Sequence, residues 1–182
     1  MRRRLLAVVL LVVLAGGLSL FLMGDSGPVL DAGPLGSGGD HALVCVPSDN
    51  GTVTFAYSDL ENTGSAPAVI ERVALHNPKD VTLLAVYVGE LARNYSGWPT
   101  FPPQLAYVHR SAVPGASIAP GGGIPHGRVW HPVDLIVGLR LTGKVGSTEI
   151  DVWYREAGHD YHLRENATLE TALGQRGCLE LG

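Results

Sequence analysis

The chain has 182 residues, of which 16% are charged, and it contains 24 glycines and 12 prolines. Its formal net charge is −4. Three of its 13 basic residues are Arg2, Arg3 and Arg4, so the remainder carries 10 basic and 17 acidic residues, a net of −7. Such a balance repels a phosphate backbone and argues against nucleic-acid binding. Few charges with many glycines and prolines suit short strands joined by turns better than a helical bundle.

An almost unbroken apolar run, from Leu5 to Met23, directly follows the three arginines. A helix of this length spans roughly 29 Å, close to the hydrocarbon thickness of a bilayer. Because basic residues stay on the cytoplasmic face, residues 1–23 are predicted to be a single-pass signal-anchor with a cytoplasmic N-terminus and an extracytoplasmic C-terminal domain. The alternative is a cleaved signal peptide, with Leu5–Leu14 as its core and Ala15-Gly16-Gly17 as its cleavage site. Both alternatives export the rest of the chain.

Residues 24–40 are rich in Gly, Ser, Pro and Asp, which predicts a flexible linker with a root-mean-square reach of roughly 20–25 Å. The extracytoplasmic domain is then expected to occupy residues 41–182. It contains two cysteines, Cys45 and Cys178, near its two ends. An even count in an oxidising compartment predicts one disulfide, which would bring these ends together. Two free thiols or a pair of thiol ligands are the alternatives.

The domain continues as short apolar stretches separated by turn signals. The clearest alternation runs from Asp134 to Leu141, where Ile136 is the one residue that breaks the pattern. Asn166 is expected to cap a short helix over Ala167–Leu173, with Gly174 ending it. Seven or eight strands of this kind predict an all-β, antiparallel β-sandwich. The predicted strands are Leu43–Val46, Thr52–Ser58, Ala68–His76, Val81–Val88, Leu135–Leu141, Ile150–Tyr154 and Tyr161–Arg164.

One turn carries a family resemblance. The stretch Leu60–Ile70 contains Asn62, Gly64 and Pro67 in an N-x-G-x-x-P pattern, which resembles the turn between early strands of bacterial, membrane-anchored immunoglobulin-like accessory domains. The resemblance covers about 35 residues, from Val53 to Val88. It implies an immunoglobulin-like sandwich on the outer side of a membrane, and it implies no catalytic residues.

The segment from Tyr95 to Pro132 departs from the strand pattern and is rich in proline, with aromatic residues between the prolines. A long irregular segment inside a compact domain is often functional, and aromatic side chains that prolines hold in place can anchor a partner at low entropic cost. The structural alternative is that these side chains cover one end of the sandwich. The candidate partner-binding residues are Trp98, Phe101, Tyr107 and Trp130.

Histidine offers a second hypothesis, because neutral imidazoles bind Zn and Cu(II). An alternative function is therefore a His-based metal-binding module that uses His126 and His131 together with His109 or His159. The spacing of these residues is not diagnostic, and the leading interpretation includes no cofactor.

No catalytic constellation is visible, because the chain lacks a G-x-S-x-G nucleophile elbow. Carboxylate pairs such as Asp59 with Glu61 and Glu149 with Asp151 have the spacing of solvated strand faces. The sequence therefore predicts a protein that is not an enzyme. We expect a membrane-anchored extracytoplasmic β-sandwich that contacts another component of a bacterial cell envelope, with an unknown membrane or envelope protein as its partner.

Overall fold

The computed structural model describes residues 29–31, 33–37, 42–90, 97–103, 109–121, 133–174 and 178. None of the helices in this part of the chain is long and apolar enough to cross a bilayer, and the apolar run Leu5–Met23 lies outside it. The described residues form thirteen strands in two sheets. These strands are β1 (Leu30–Asp31), β2 (Leu35–Ser37), β3 (Ala42–Ser48), β4 (Thr52–Asn62), β5 (Ala68–Lys79), β6 (Val81–Glu90), β7 (Gly97–Trp98), β8 (His109–Ala112), β9 (Ala116–Ile118), β10 (Val133–Leu141), β11 (Val145–Glu156), β12 (His159–Arg164) and β13 (Ala167–Leu173).

β11 is the centre of the larger, seven-stranded sheet, because its 12 residues are long enough to pair with three other strands. β5 runs antiparallel along one side of β11. On the other side, β12 pairs with the C-terminal half of β11 and β13 pairs with its N-terminal half, both antiparallel. β9 extends the sheet beyond β5, while β1 and β3 pair in parallel with β12 and β13.

β10 is the centre of the smaller, six-stranded sheet, with β4 and β6 antiparallel on its two sides. β2 and β7 both pair with β4, and β8 pairs with β6. The predicted all-β architecture of two sheets is therefore confirmed. There are more strands than the seven or eight expected, because the structure adds very short strands to the long ones that alternation reveals.

The core lies between the inner faces of the two sheets. Alternate residues of β10 and β11 point into it, as the period of a strand requires. Tyr154 is the largest fully buried side chain, and its hydroxyl accepts a hydrogen bond from the backbone N–H of Leu35 at 3.1 Å. Burial raises the pKa of Tyr154. The core residues of the two central strands include Val133, Leu135, Val137, Leu139, Ile150, Val152 and Tyr154.

The N-x-G-x-x-P turn has a structural explanation in Asn62, whose side chain is fully buried. Its Nδ2 donates to the carbonyls of Ala66 and Ile118, at 2.8 and 3.0 Å, and its Oδ1 accepts from the N–H of Gly64 at 2.9 Å. One amide group thus closes the turn and joins it to β9, which lies more than fifty positions along the chain. The motif fixes the fold of this end of the sandwich.

The predicted helix over Ala167–Leu173 is wrong, because these residues form β13. They pair along their whole length with β3, and Leu169–Ala172 also pair with the start of β11. Ala167, Leu169 and Thr171 alternate as buried residues, which is the period of a strand. Pairing with two neighbours therefore overrides the local capping signal at Asn166.

Two segments that were expected to be irregular contribute strands. Part of the predicted linker forms β1 in the larger sheet and β2 in the smaller one, so the folded domain begins before residue 41. Leu35 of β2 is only 2% exposed and belongs to the core. The proline-rich segment Tyr95–Pro132 contributes β7, β8 and β9.

The predicted disulfide is confirmed. Cys45 of β3 and Cys178 are joined, with an S–S distance of 2.01 Å and Cα atoms 5.7 Å apart, and 133 positions separate them in the sequence. The disulfide holds β3 and the chain at Cys178 side by side, as expected.

Candidate functional site

The outer face of the smaller sheet is covered by part of its own chain. Gly97 and Trp98 form β7 beside β4, and Thr100 and Phe101 then lie on the outer face of β4 and β10, where Thr54 Oγ1 donates to the carbonyl of Thr100 at 2.7 Å. The N–H of Phe101 donates to Thr52 Oγ1 at 3.1 Å. The ring of Phe101 lies directly on Gly138 of β10, so close that a Cβ at this glycine would be 2.3 Å from the ring. The absence of a side chain at position 138 is what admits the ring.

Several outward-facing residues of β4 and β10 are buried on that face. Thr54, Ala56 and Ile136 point away from the core, yet all are buried, and Ile136 is fully inaccessible. The break in the alternation at Ile136 is therefore a sign that both faces of the smaller sheet are buried.

The predicted partner-binding residues divide into two groups. Trp98 and Phe101 are both half-buried, Trp98 in β7 opposite Thr54 and Phe101 on Gly138. The contact with Gly138 supports the structural interpretation of Phe101 as a cover for the sheet, and Trp98 takes part in the strand that adjoins it. Tyr107 and Trp130 lie outside the described residues, so their role stays a prediction.

The outer face of the larger sheet carries a polar cluster centred on the buried carboxylate of Asp151 in β11. One oxygen accepts from Arg164 Nε at 3.0 Å and lies 2.9 Å from His162 Nε2, and the other lies 3.2 Å from His76 Nδ1. These partners come from β5 and β12, the two neighbours of β11, because their outward positions flank it in register. We name Asp151, His76, His162 and Arg164 the Asp151 cluster.

Electrostatics keep Asp151 ionised. Burial by itself would raise the pKa of Asp151, but the hydrogen bonds and positive charges of Arg164 and His162 outweigh burial and lower it. The carboxylate is thus neutralised locally, as a buried charge must be.

A stack of three side chains crosses the same face beside the cluster. The guanidinium of Arg72 in β5 lies 3.5 Å from the centre of the Trp153 ring, and the ring of His162 stacks on Trp153 with centroids 4.9 Å apart. The register explains the stack, because Trp153 is directly opposite Arg72 on one side and His162 on the other. No carboxylate among the described residues forms an ion pair with Arg72, whereas Arg155 next to it pairs with Glu71 and Asp160.

An open groove of about 540 Å³, with both polar and apolar lining, adjoins the Asp151 cluster at His76. Asn77 lies at its rim with a positive φ of 48°, a strained conformation for a residue with a side chain. The Nδ2 of Asn77 lies 2.8 Å from His76 Nε2. The groove is lined by His76, Asn77, Pro78, Lys79, Ser147, Thr148, Glu149 and Thr168.

The structure also bears on the predicted metal ligands. The described residues contain no group of three or more histidines, cysteines or acids that could hold a metal ion. Of the metal ligands predicted from the sequence, His159 is exposed at the start of β12, the backbone of His109 lies in β8, and the side chain of His109 lies outside what is described. His126 and His131 also lie outside the described residues, so the metal-binding alternative stays a prediction.

Sequence reasoning missed the Asp151 cluster and the stack. Asp151 and Glu149 were interpreted as a solvated strand face, and Arg72 was not singled out at all. The available signal was the outward positions of Ala68–His76, Ile150–Tyr154 and Tyr161–Arg164, which hold Arg, Trp, Asp and His. That signal identifies a site only when these three strands are known to be neighbours.

Comparisons with known proteins add a fold likeness. No family model matches the sequence, and no curated protein matches it. Among solved structures, the chain is similar to the ASH / PapD-like domain of human CEP192 (PapD-like domain 7), with a TM-score of 0.38 and 13% sequence identity. The match covers 84% of this chain and 97% of that one. The class of protein that the strands themselves define is an all-β sandwich of two sheets.

Proposed function

We propose that the protein is a membrane-anchored, extracytoplasmic accessory module with an immunoglobulin-like sandwich, and that it contacts another component of a bacterial cell envelope without catalysing a reaction. The apolar run Leu5–Met23 behind three arginines supports the anchor and its orientation. The Cys45–Cys178 disulfide supports export, because such bonds persist in oxidising compartments.

The hydrogen bonding of His76 supports a role without catalysis. A histidine held by a buried carboxylate resembles a general base, but such a base needs a free nitrogen that faces a nucleophile or a substrate. Here Nδ1 faces Asp151 and Nε2 is taken by the side-chain amide of Asn77. The imidazole is therefore engaged at both nitrogens.

The outer face of the larger sheet is the contact surface that the geometry favours, and Arg72 is the observation that carries this proposal. Its guanidinium is held flat on Trp153 and has no acidic partner among the described residues. A stacked guanidinium keeps its N–H donors in a fixed fork that matches a carboxylate. Arg and Trp are also the residue types enriched where interfaces gain most of their binding energy.

The partner is a protein segment that presents carboxylates to Arg72 and to Arg164, whose side chain is 46% exposed. Trp98, Phe101, Tyr107 and Trp130 remain the second candidate contact surface. Phe101 is the less favoured contact residue of this set, because its ring already packs on Gly138.

Site-specific photo-crosslinking in intact cells tests the surface. A photo-reactive amino acid replaces Val69, which is exposed on β5 close to Arg72, and the full chain is expressed in its membrane. We expect one crosslinked partner, whose yield falls strongly with Arg72→Gln and with added salt. The matched control, Arg140→Gln, changes an exposed arginine of the smaller sheet and should leave the yield unchanged.

The proposal is contradicted if the same partner is crosslinked equally well from Thr82, an exposed residue of β6, and if Arg72→Gln has no effect on the yield. The contact would then lie elsewhere on the domain. The proposal also fails if the partner surface that is crosslinked carries no acidic residues.

A further inference from the structure

The length of chain between the predicted anchor and the first strand is short. The apolar run ends at Met23, and β1 begins at Leu30. Seven steps of fully extended chain reach at most roughly 25 Å, and the headgroup layer occupies several of these ångströms. The linker expected from the sequence was much longer, because its second half is built into the two sheets.

The position of β1 decides which end of the sandwich this short connection holds. Leu30 lies opposite Tyr161, and β1 runs parallel to β12. Val29 therefore lies on the side of β1 that faces the start of β12, where the Ala157–Gly158 turn joins β12 to β11. The Gly64–Pro67 turn lies at the same end, because the N–H of Ser65 and of Ala66 both donate to Glu156.

This end of the sandwich, the near end, differs in composition from the opposite one. The turns 64–67 and 157–158 contain no charged residue, and the carboxylate of Glu156 between them is buried. Val29 and Leu30 are large apolar residues that are 51% and 41% exposed.

The far end joins three turns, since Leu141 N–H donates to the carbonyl of Gly51 and Thr142 N–H donates to that of Asp80. These turns carry exposed charges at Asp80 and Lys144. β11 runs between the two ends, and its 12 residues span roughly 40 Å.

We propose that the near end, formed by Val29–Leu30 and the turns 64–67 and 157–158, is held against the lipid headgroups. The inference rests on the proposed function, because it needs an uncleaved anchor. The exposed aliphatic residues Val29 and Leu30 and the two uncharged turns are compatible with the headgroup layer, where the exposed carboxylate of Asp31 can remain hydrated. The far end, which carries Asp80 and Lys144, points into the aqueous compartment. The Asp151 cluster and the stack then lie on a sheet face that stands on the membrane, where they are open to a partner beside them.

Fluorescence quenching by headgroup-labelled lipid tests this orientation. The full chain is reconstituted in vesicles of phosphatidylethanolamine and phosphatidylglycerol that contain a lipid with a nitroxide on its headgroup. A fluorophore is attached to a single added cysteine, either His159→Cys at the near end or Lys144→Cys at the far end. Both positions are exposed, and the two native cysteines are occupied in the disulfide. We expect strong quenching of the label at position 159 and none at position 144.

A longer tether supplies the matched control. A long Gly/Ser insert between Ser26 and Gly27 should reduce the quenching at position 159 towards that at position 144, because the near end is then free to leave the surface. Unchanged quenching with the insert would contradict the short connection as the cause of the orientation.

The failure of this inference and the failure of the proposed function are distinguishable. If the full chain is released from membranes by alkaline carbonate, the anchor is absent and the proposed function is wrong. If the chain stays in the membrane but the two labels are quenched equally, the anchor stands and the orientation is wrong.

Discussion

The outer faces of the two sheets differ, although the inner faces are alike. On the smaller sheet, Thr54, Ala56 and Ile136 are buried although they face away from the core, and Thr100 and Phe101 lie on part of this face. On the larger sheet, Arg72, Trp153 and His162 form an open stack beside the buried carboxylate of Asp151. The comparison separates a face built for stability from a face available for contact.

The difference shows where this fold can accommodate polar side chains. A covered face must exclude water, so it uses small or apolar residues and satisfies each hydroxyl with a backbone partner. An open face can keep arginines and histidines, because their charged ends remain in water while their stems and rings pack on neighbours. Asp151 is the exception, and three cationic or polar partners surround it.

The largest expected effect comes from Ile136→Ala. Since Ile136 is fully buried on the covered face, the substitution should lower the free energy of unfolding by about 2–5 kcal/mol. Arg72→Ala, on the open face, should cost only about 0.5–1 kcal/mol, because it removes a solvent-exposed cation–π contact. Chemical unfolding of the detergent-solubilised chain, followed by tryptophan fluorescence, measures both. Equal costs would remove the distinction between the two faces.

Gly138→Ala sharpens the comparison by acting on the cover itself. The added Cβ would meet the ring of Phe101, so the segment must shift, and we expect a loss of about 1–3 kcal/mol in the free energy of unfolding. Gly36→Ala is the matched control, because nothing lies within 4 Å of its Cβ position. In the Phe101→Ala background the cost of Gly138→Ala should vanish. If that cost persists, the ring is not the obstacle.

Asp151→Asn tests the one buried charge of the open face. It should cost about 1–3 kcal/mol at neutral pH, because the amide cannot accept the charge-assisted hydrogen bonds of Arg164 and His162 equally well. The pKa of Asp151 is lower in the folded chain than in the unfolded one, so its stabilisation is complete above about pH 4 and is lost as the pH falls through the folded value.

We therefore expect the free energy of unfolding to fall less steeply towards low pH (the acid limb) in Asp151→Asn than in the native chain, when unfolding is measured from pH 2 to 7. Asp31→Asn is the control with the smallest expected effect, because the Asp31 side chain is 91% exposed. An acid limb that is the same in Asp151→Asn and in the native chain would show that Asp151 does not contribute to it.

Several features of this protein could be predicted from the sequence, because a local pattern or the composition indicates each of them. The alternation in Thr52–Ser58 and Leu135–Leu141 predicted strands, and both are confirmed within β4 and β10. The Cys45–Cys178 disulfide followed from an even count of cysteines, and it is confirmed. The apolar run Leu5–Met23 still carries the prediction of an anchor, because hydropathy depends only on residues that are adjacent in the chain.

Other features could not be predicted, because they depend on which strands are neighbours. Asp151, His76 and His162 meet only because β5 and β12 flank β11, and alternation within one strand does not reveal its partners. The segment Ala167–Leu173 carries a helix-capping signal, yet it forms a strand because it pairs with β3 and with the start of β11.

The sequence by itself therefore determined the class of fold, the long strands, the cross-link and the expected attachment to a membrane, since local pattern and composition encode each of these. Only the tertiary structure decided that the outer face of the smaller sheet is covered, that the stack and the Asp151 cluster lie on the larger one, and that the linker enters both sheets. The physical reason is that hydrogen bonding between strands and the burial of a second face depend on contacts between residues that are far apart in the chain.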